Sequence, residues 1–230
     1  MVTDSRAGNF DRVISIVGGT GALGGGLARR WSKAGLSLII GSRSVDKAVT
    51  AAAGLEAAFP GARVQGMDNL AAARAGDIVV LTVPFSQQRS TLESIQSALA
   101  GKILVDTTVP LVPPKVARVQ LPKEGSAAMI AQQLAGDTVA VVAAFHNVAA
   151  DSLHTDETLD CDVLVMGNKA EARDAVVALA RAAGLRAWHG GPLENAAAAE
   201  ALTSVLIFMN KRYGGVHTGL RITGIPDDAA

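Results

Sequence analysis

A glycine run directly behind an apolar segment constrains this chain most. Residues 12–17 read Arg-Val-Ile-Ser-Ile-Val, and Gly18-Gly19-Thr20-Gly21-Ala22-Leu23-Gly24 follows. Gly19, Gly21 and Gly24 fit the pattern G-x-G-x-x-G, and an alanine-rich helical window then runs from Gly24 to Ala34 and stops at Gly35. In a strand–turn–helix unit the first glycine makes the tight turn. The second lets a pyrophosphate approach the backbone, and the third lets the helix pack closely on the strand. The helix start supplies free N–H groups and a partial positive charge. A plain glycine turn is the alternative, but a motif that follows a strand and opens a helix predicts a dinucleotide cradle at Gly19, Thr20, Gly21, Ala22, Leu23 and Gly24.

The rest of the chain repeats the same alternation. Short β-branched runs at 36–40, 63–65, 77–82, 102–106 and 138–144 are separated by helical windows at 45–58, 69–74, 85–100 and 126–134. Strands of this length, apolar on both faces and separated by helices, imply a parallel sheet covered on both sides. The expected fold is α/β: a Rossmann-type doubly wound, mostly parallel sheet with helices on both faces. After Asp151 the rhythm changes. A strand at 162–166, a helix at 170–183, a strand at 185–188 and a long helix from Leu193 to Tyr213 predict a small C-terminal α/β extension. The expected division is 1–150 for dinucleotide binding and 151–230 for a small substrate and dimerisation domain. The loop from Thr107 to Glu124 carries four prolines and follows a strand's carboxyl end, where open α/β sheets bind ligands, so it should border the site.

The end of the second strand selects the cofactor. An NAD-binding chain usually places a carboxylate there to accept from the ribose hydroxyls. Here the residues are Gly41-Ser42-Arg43-Ser44, with Arg43 nineteen positions past Gly24. The planar guanidinium of Arg43 suits a phosphate, Ser42 can donate a hydrogen bond, and Lys47 lies one helical turn further on. A solvated basic helix face is the plainer reading. Together the three predict NADP, bound through its 2′-phosphate. Thr82-Val83-Pro84, after the fourth strand, should border the ribose and nicotinamide.

Composition removes other classes. Twenty-one basic and twenty-one acidic residues give a formal net charge of zero, and no polybasic run is present, so neither nucleic acid nor an anionic membrane is an expected partner. Cys161 is the one cysteine, which leaves no internal disulfide and no thiol cluster for a metal. The segment Met1 to Arg12 is polar and lacks the apolar core of a signal peptide, and no stretch reaches the length of a membrane span. A cytoplasmic location is expected. His154, with Asp151, Asp156 and Glu157 nearby, has no second histidine at ligand spacing and reads as a polar surface turn.

The motifs resemble those of the NADPH-dependent reductases of the deazaflavin coenzyme F420. The resemblance rests on Gly18–Gly24, on Gly41-Ser42-Arg43 with Lys47, and on Val80-Leu81-Thr82-Val83-Pro84. Ser126-Ala127-Ala128, Phe145-His146-Asn147-Val148 and Gly191-Pro192-Leu193 complete it, so it extends over nearly the whole chain. It implies a reversible hydride transfer between NADP(H) and coenzyme F420, with His146 and Val148 nearest the reacting rings. Taken alone, His146 reads first as a satisfied histidine at a strand end, and the resemblance reverses that reading. Met129, Asn147 and the stretch from Asp106 to Thr108 depart from the family pattern on the substrate side. An NADP-dependent reductase of a pterin, flavin, imine or carbonyl compound is therefore one alternative, and a non-catalytic NADP-binding regulatory protein is another. The apolar terminal helix predicts a homodimer.

Overall fold

The computed structural model describes residues 11–215 and 217–226. The polar segment ahead of Asp11, where no signal peptide is expected, lies outside the described residues.

The strands are β1 (Ile14–Val17), β2 (Ser37–Ser42), β3 (Arg63–Asp68), β4 (Ile78–Leu81), β5 (Ile103–Asp106), β6 (Ala140–Ala143), β7 (Asp162–Gly167) and β8 (Arg186–Gly191). They form one sheet in the order β3-β2-β1-β4-β5-β6-β7-β8. Pairing from β3 through β6 is parallel; β7 runs antiparallel to β6, and β8 is parallel to β7. The expected boundary near residue 150 thus falls where strand direction reverses, and the sheet continues across it.

Period-two alternation explains the burial on both faces. Ile14, Ile16, Ile78, Val80, Val105 and Val142 point into one core. Val17, Val79, Leu81, Leu104, Val141 and Ala143 point into the other. Helices α1 (Ala22–Lys33), α2 (Val45–Ala58) and α6 (Ala170–Ala182) cover the first face. Helices α3 (Asn69–Ala75), α4 (Phe85–Ile95), α5 (Ala127–Ala135) and α7 (Ala196–Tyr213) cover the second. Trp31 locks the first layer: its ring is fully buried, meets Phe145 edge-on at 6.1 Å, and its Nε1 donates to the Leu179 carbonyl of α6 at 2.8 Å. Burial of one such side chain stabilises the fold by about 1.5–3 kcal/mol.

Several boundaries differ from the periodicity. Strand β3 runs on to Asp68, because pairing with β2 continues through Ser42↔Asp68 although its outer positions are polar. The window at 85–100 divides into α4 and a 3₁₀ turn at Gln96–Ala98, and α7 follows another 3₁₀ turn at Leu193–Asn195. A further 3₁₀ turn, Ala150–His154, lies against α1 in a stretch with no apolar period.

Candidate active site

The predicted cofactor residues collect along the carboxyl edge of the parallel strands. β1 ends at the glycine cradle, β2 at Ser42, β4 at Thr82, β5 at Asp106, and β6 leads to His146. The order β2-β1-β4-β5-β6 sets Ser42 and the His146 turn at opposite ends of one row, about 19 Å apart at the usual strand spacing. Chains leave β1 and β4 toward opposite faces, which opens the switch-point crevice where doubly wound sheets take ligands.

The glycine loop leaves backbone donors at the start of α1 without side-chain partners. Helix α1 begins after Gly21, which is extended (φ −81°, ψ 172°) and offers no side-chain cap. The first-turn N–H groups therefore have no side-chain partner. Gly24 must lack a side chain: a Cβ there would stand 2.5 Å from Thr82 Oγ1 and 2.8 Å from the Gly19 Cα. Thr82 is itself fixed, its hydroxyl donating to the Val17 carbonyl at 3.0 Å. Thr82 and Val83 thus sit beside the loop, and Pro84 follows them, exposed.

An open cleft of about 560 Å³ lies over this loop, lined by Gly19, Thr20, Gly21, Ala22 and Gly25, by Asp46, Lys47, Thr50 and Ala51 of α2, and by His154. The hydroxyls of Thr20 and buried Ser42 lie 3.4 Å apart, and Ser42 Oγ accepts the Ser44 N–H at 3.2 Å. Ser44 caps α2 by accepting the Lys47 N–H, which fixes where the Lys47 stem leaves the helix. Arg43 and Lys47 are exposed, and neither side chain forms an ion pair or hydrogen bond with a described residue. Leu23 is half-buried and packs on the core below the cleft.

At the other end, β6 runs into a turn at Phe145–Val148. Phe145 has φ 67°, a left-handed conformation that costs a non-glycine residue about 1–3 kcal/mol. His146 is 6% exposed, and neither of its ring nitrogens has a hydrogen-bond partner among the described residues. Burial pulls its pKa down to about 4, so the ring is neutral near neutral pH. Val148 is half-buried beside it in the chain.

Three polar groups hold this end together; Glu200 and Gln88 were absent from the sequence expectations, and Asn147 appeared there only as a departure from the family pattern. Glu200 of α7, 1% exposed, accepts the Ala127 and Ala128 N–H groups at 2.7 and 3.0 Å, capping α5 together with Ser126. Gln88 of α4 donates to Asp106 Oδ2 at 2.7 Å and to the Ala127 carbonyl at 2.9 Å. Asn147 donates to the Ala199 carbonyl and to Thr203 Oγ1 of α7. Met129 stands where an acidic side chain would complete a capping box with Ser126; Glu200 brings the carboxylate from another helix instead. Burial pushes the Asp106 carboxyl up to about 6, against hydrogen bonds from Thr108 and Gln88, and the Glu200 carboxyl up to about 8.

Residues 13–110 match the family model described as NADP oxidoreductase, coenzyme F420-dependent. The protein is 39% identical over 226 residues to the F420-dependent NADP reductase of Methanocaldococcus jannaschii, covering 92% of this chain and 98% of that one. With the enzyme of the same name from Methanothermobacter thermautotrophicus the identity is 40% over 222 residues, covering 93% and 96%. The chain belongs to the F420-dependent NADP reductase family. A solved structure from Arthrobacter sp. FB24, provisionally assigned to the same reductases, superposes with a TM-score of 0.76 at 25% identity, covering 93% of this chain and all of that one. The pyrroline-5-carboxylate reductase of Coxiella burnetii shares the fold alone, with a TM-score of 0.58 at 17% identity over 87% of this chain and 67% of that one. Among the described residues no three potential metal ligands cluster, and no helix is long and apolar enough to cross a membrane.

Proposed function

We propose that the protein transfers hydride between NADP(H) and coenzyme F420, and that the residues named above form its site. One observation carries this reading: the uncapped start of α1 and the unpaired cations Arg43 and Lys47 share a row of strand ends with the turn that buries His146. The residues fit the cofactor. The N–H groups of Gly19 and Gly21 are spent on the Ile16, Gly41 and Gly18 carbonyls, which leaves those of Thr20, Ala22 and Leu23 to suit a pyrophosphate, while Ser42, Arg43 and Lys47 suit a 2′-phosphate.

NADPH, when bound, supplies the hydride. The chain's own contribution is to hold, orient and keep water out. Thr82, Val83 and Pro84 bound the crevice between the cradle and the β5 end. His146, neutral at working pH, neither adds a charge to the pocket nor competes for a proton. Its unpartnered nitrogens suit an amide or carbonyl of a ring system brought to the β6 end, and Val148 supplies an apolar wall.

The segment after residue 150 serves substrate enclosure and dimerisation in this reading. Its helix α7 is held against the turn after β6 and the start of α5, yet exposes Val205, Phe208, Met209 and Tyr213. A second copy covering that stripe would make a homodimer. A cytoplasmic location fits the one, half-buried cysteine. Sedimentation giving only monomer at micromolar concentration, or fractionation recovering the protein with membranes, overturns the respective statement.

The deciding experiment mixes purified protein, NADPH and coenzyme F420 and follows loss of the deazaflavin absorbance. Turnover is the expected result. Tight NADPH binding without turnover on F420 would pass the second substrate to another acceptor.

A further inference from the structure

We propose that His154 is a member of the dinucleotide site, donating to the pyrophosphate of the cofactor from outside the Rossmann unit. The inference rests on the NADP reading above. Of the residues lining the cleft, His154 alone comes from beyond the first two β–α units. Its Nε2 lies 2.8 Å from the Ala22 carbonyl, at the first residue of α1. A carbonyl only accepts, so Nε2 carries a proton, and the other nitrogen, Nδ1, makes no hydrogen bond to a described residue.

The ring is placed by a clamp rather than by chance. Arg30 donates to the Leu153, Ser152 and Glu157 carbonyls at 3.2, 3.2 and 2.8 Å. Arg29 and Lys33 both meet Asp156 at 3.0 Å. The segment 152–157 is thereby fixed to α1 at several points. Gly26 makes the approach possible: a Cβ there would stand 2.6 Å from Leu153 Cβ and 3.3 Å from His154 Nε2. Gly25 is likewise close, at 3.5 Å from the ring Cε1. The two glycines behind the fingerprint thus make room for a side chain that reaches the phosphate end of the helix.

A phosphate oxygen accepts hydrogen bonds and cannot donate them. It engages Nδ1 only when that nitrogen is protonated, so the bound state favours the imidazolium, in which both nitrogens donate. The charges around the ring are Arg29, Arg30 and Lys33 on α1, Asp46 and Lys47 on α2, and Asp151, Asp156 and Glu157 on its own segment. The pyrophosphate, rather than the 2′-phosphate, is the partner because the ring is tied to the start of α1, whereas the 2′-phosphate clamp sits at the β2 end.

Calorimetric titration with NADP⁺ and with NAD⁺ at pH 6 and pH 8 tests this. NAD⁺ lacks the 2′-phosphate, whose own titration would otherwise mix with that of the histidine. Wild type is expected to bind both more tightly at about pH 6 than at about pH 8. His154→Ala should weaken both by about tenfold at the lower pH and abolish the dependence seen with NAD⁺. His154→Gln keeps a donor for the Ala22 carbonyl but cannot carry charge. It should melt as wild type does and lose the same pH dependence, which a merely structural histidine would not. Unchanged affinity in both variants overturns the inference alone. A loss confined to NADP⁺ overturns the pyrophosphate assignment. A wild type that binds neither dinucleotide removes the NADP reading itself.

Discussion

Replacing Arg43 with alanine weakens NADPH binding by about 1.5–3 kcal/mol, roughly 10- to 150-fold, and leaves NADH binding nearly unchanged. The argument is local and electrostatic. Arg43 follows the last residue of β2, and its side chain is exposed with no acidic partner among the described residues. A guanidinium in that state loses little on meeting a phosphate and gains charge-assisted, geometrically matched hydrogen bonds. Lys47 stays behind in the variant, which keeps the loss finite. Asp46 also lines the cleft, so removing Arg43 leaves a carboxylate closer in weight to the remaining cation. Fluorescence titration with each dinucleotide measures the two affinities. Equal losses for both would remove Arg43 from the 2′-phosphate clamp and place its effect on the cradle as a whole.

Replacing Glu200 with alanine lowers stability by about 2–5 kcal/mol, on the order of 10 °C in Tm. The substitution strips the partner from two N–H groups at the start of α5, each costing about 1–3 kcal/mol when left buried and unpaired. It also removes one of the ties between α7 and the second face of the sheet. A pH dependence accompanies the loss. Burial raises the Glu200 carboxyl to about 8, with the Asp106 charge adding to the rise and the Ala127 and Ala128 N–H groups opposing it. A carboxyl whose folded value lies above its unfolded one binds its proton more tightly in the fold. Its stabilising contribution is complete below the unfolded value and is lost as pH rises through about 8. Glu200→Gln is uncharged at every pH; its amide oxygen keeps one of the two N–H donors and its NH2 leaves the other unmatched, a fixed loss that does not vary with pH. Thermal melts should therefore show wild type losing stability relative to Glu200→Gln between about pH 5 and about pH 9. Parallel curves for the two proteins would show that Glu200 does not change ionisation on folding.

The glycine loop, and the Ser42, Arg43 and Lys47 group proposed to hold the 2′-phosphate, are each written within a few consecutive residues. The spacing of Gly19, Gly21 and Gly24 reports one turn, and Arg43 and Lys47 lie four positions apart, the first between β2 and α2 and the second in the first turn of α2. The strands were legible for the same reason: apolar runs short enough to be buried on both faces have one home in an α/β protein.

His146, Glu200 and His154 were not legible in this way. His146 looks like any histidine at a strand end until the fold leaves both its nitrogens unpartnered. Glu200 sits in an alanine-rich run and meets Ala127 from 73 positions away, so nothing near it announces a cap. His154 reads as part of a polar turn, and its position over α1 depends on Arg29, Arg30 and Lys33, more than a hundred residues earlier. Local patterns thus determined the elements, the parallel order of the sheet's first half and the chemistry of the cofactor cradle. The reversal at β7, the docking of α7 and the walls of the site were decided only by tertiary structure. Those features depend on pairing groups that are distant in the chain, and a buried donor or charge finds its partner only after the layers have closed around it.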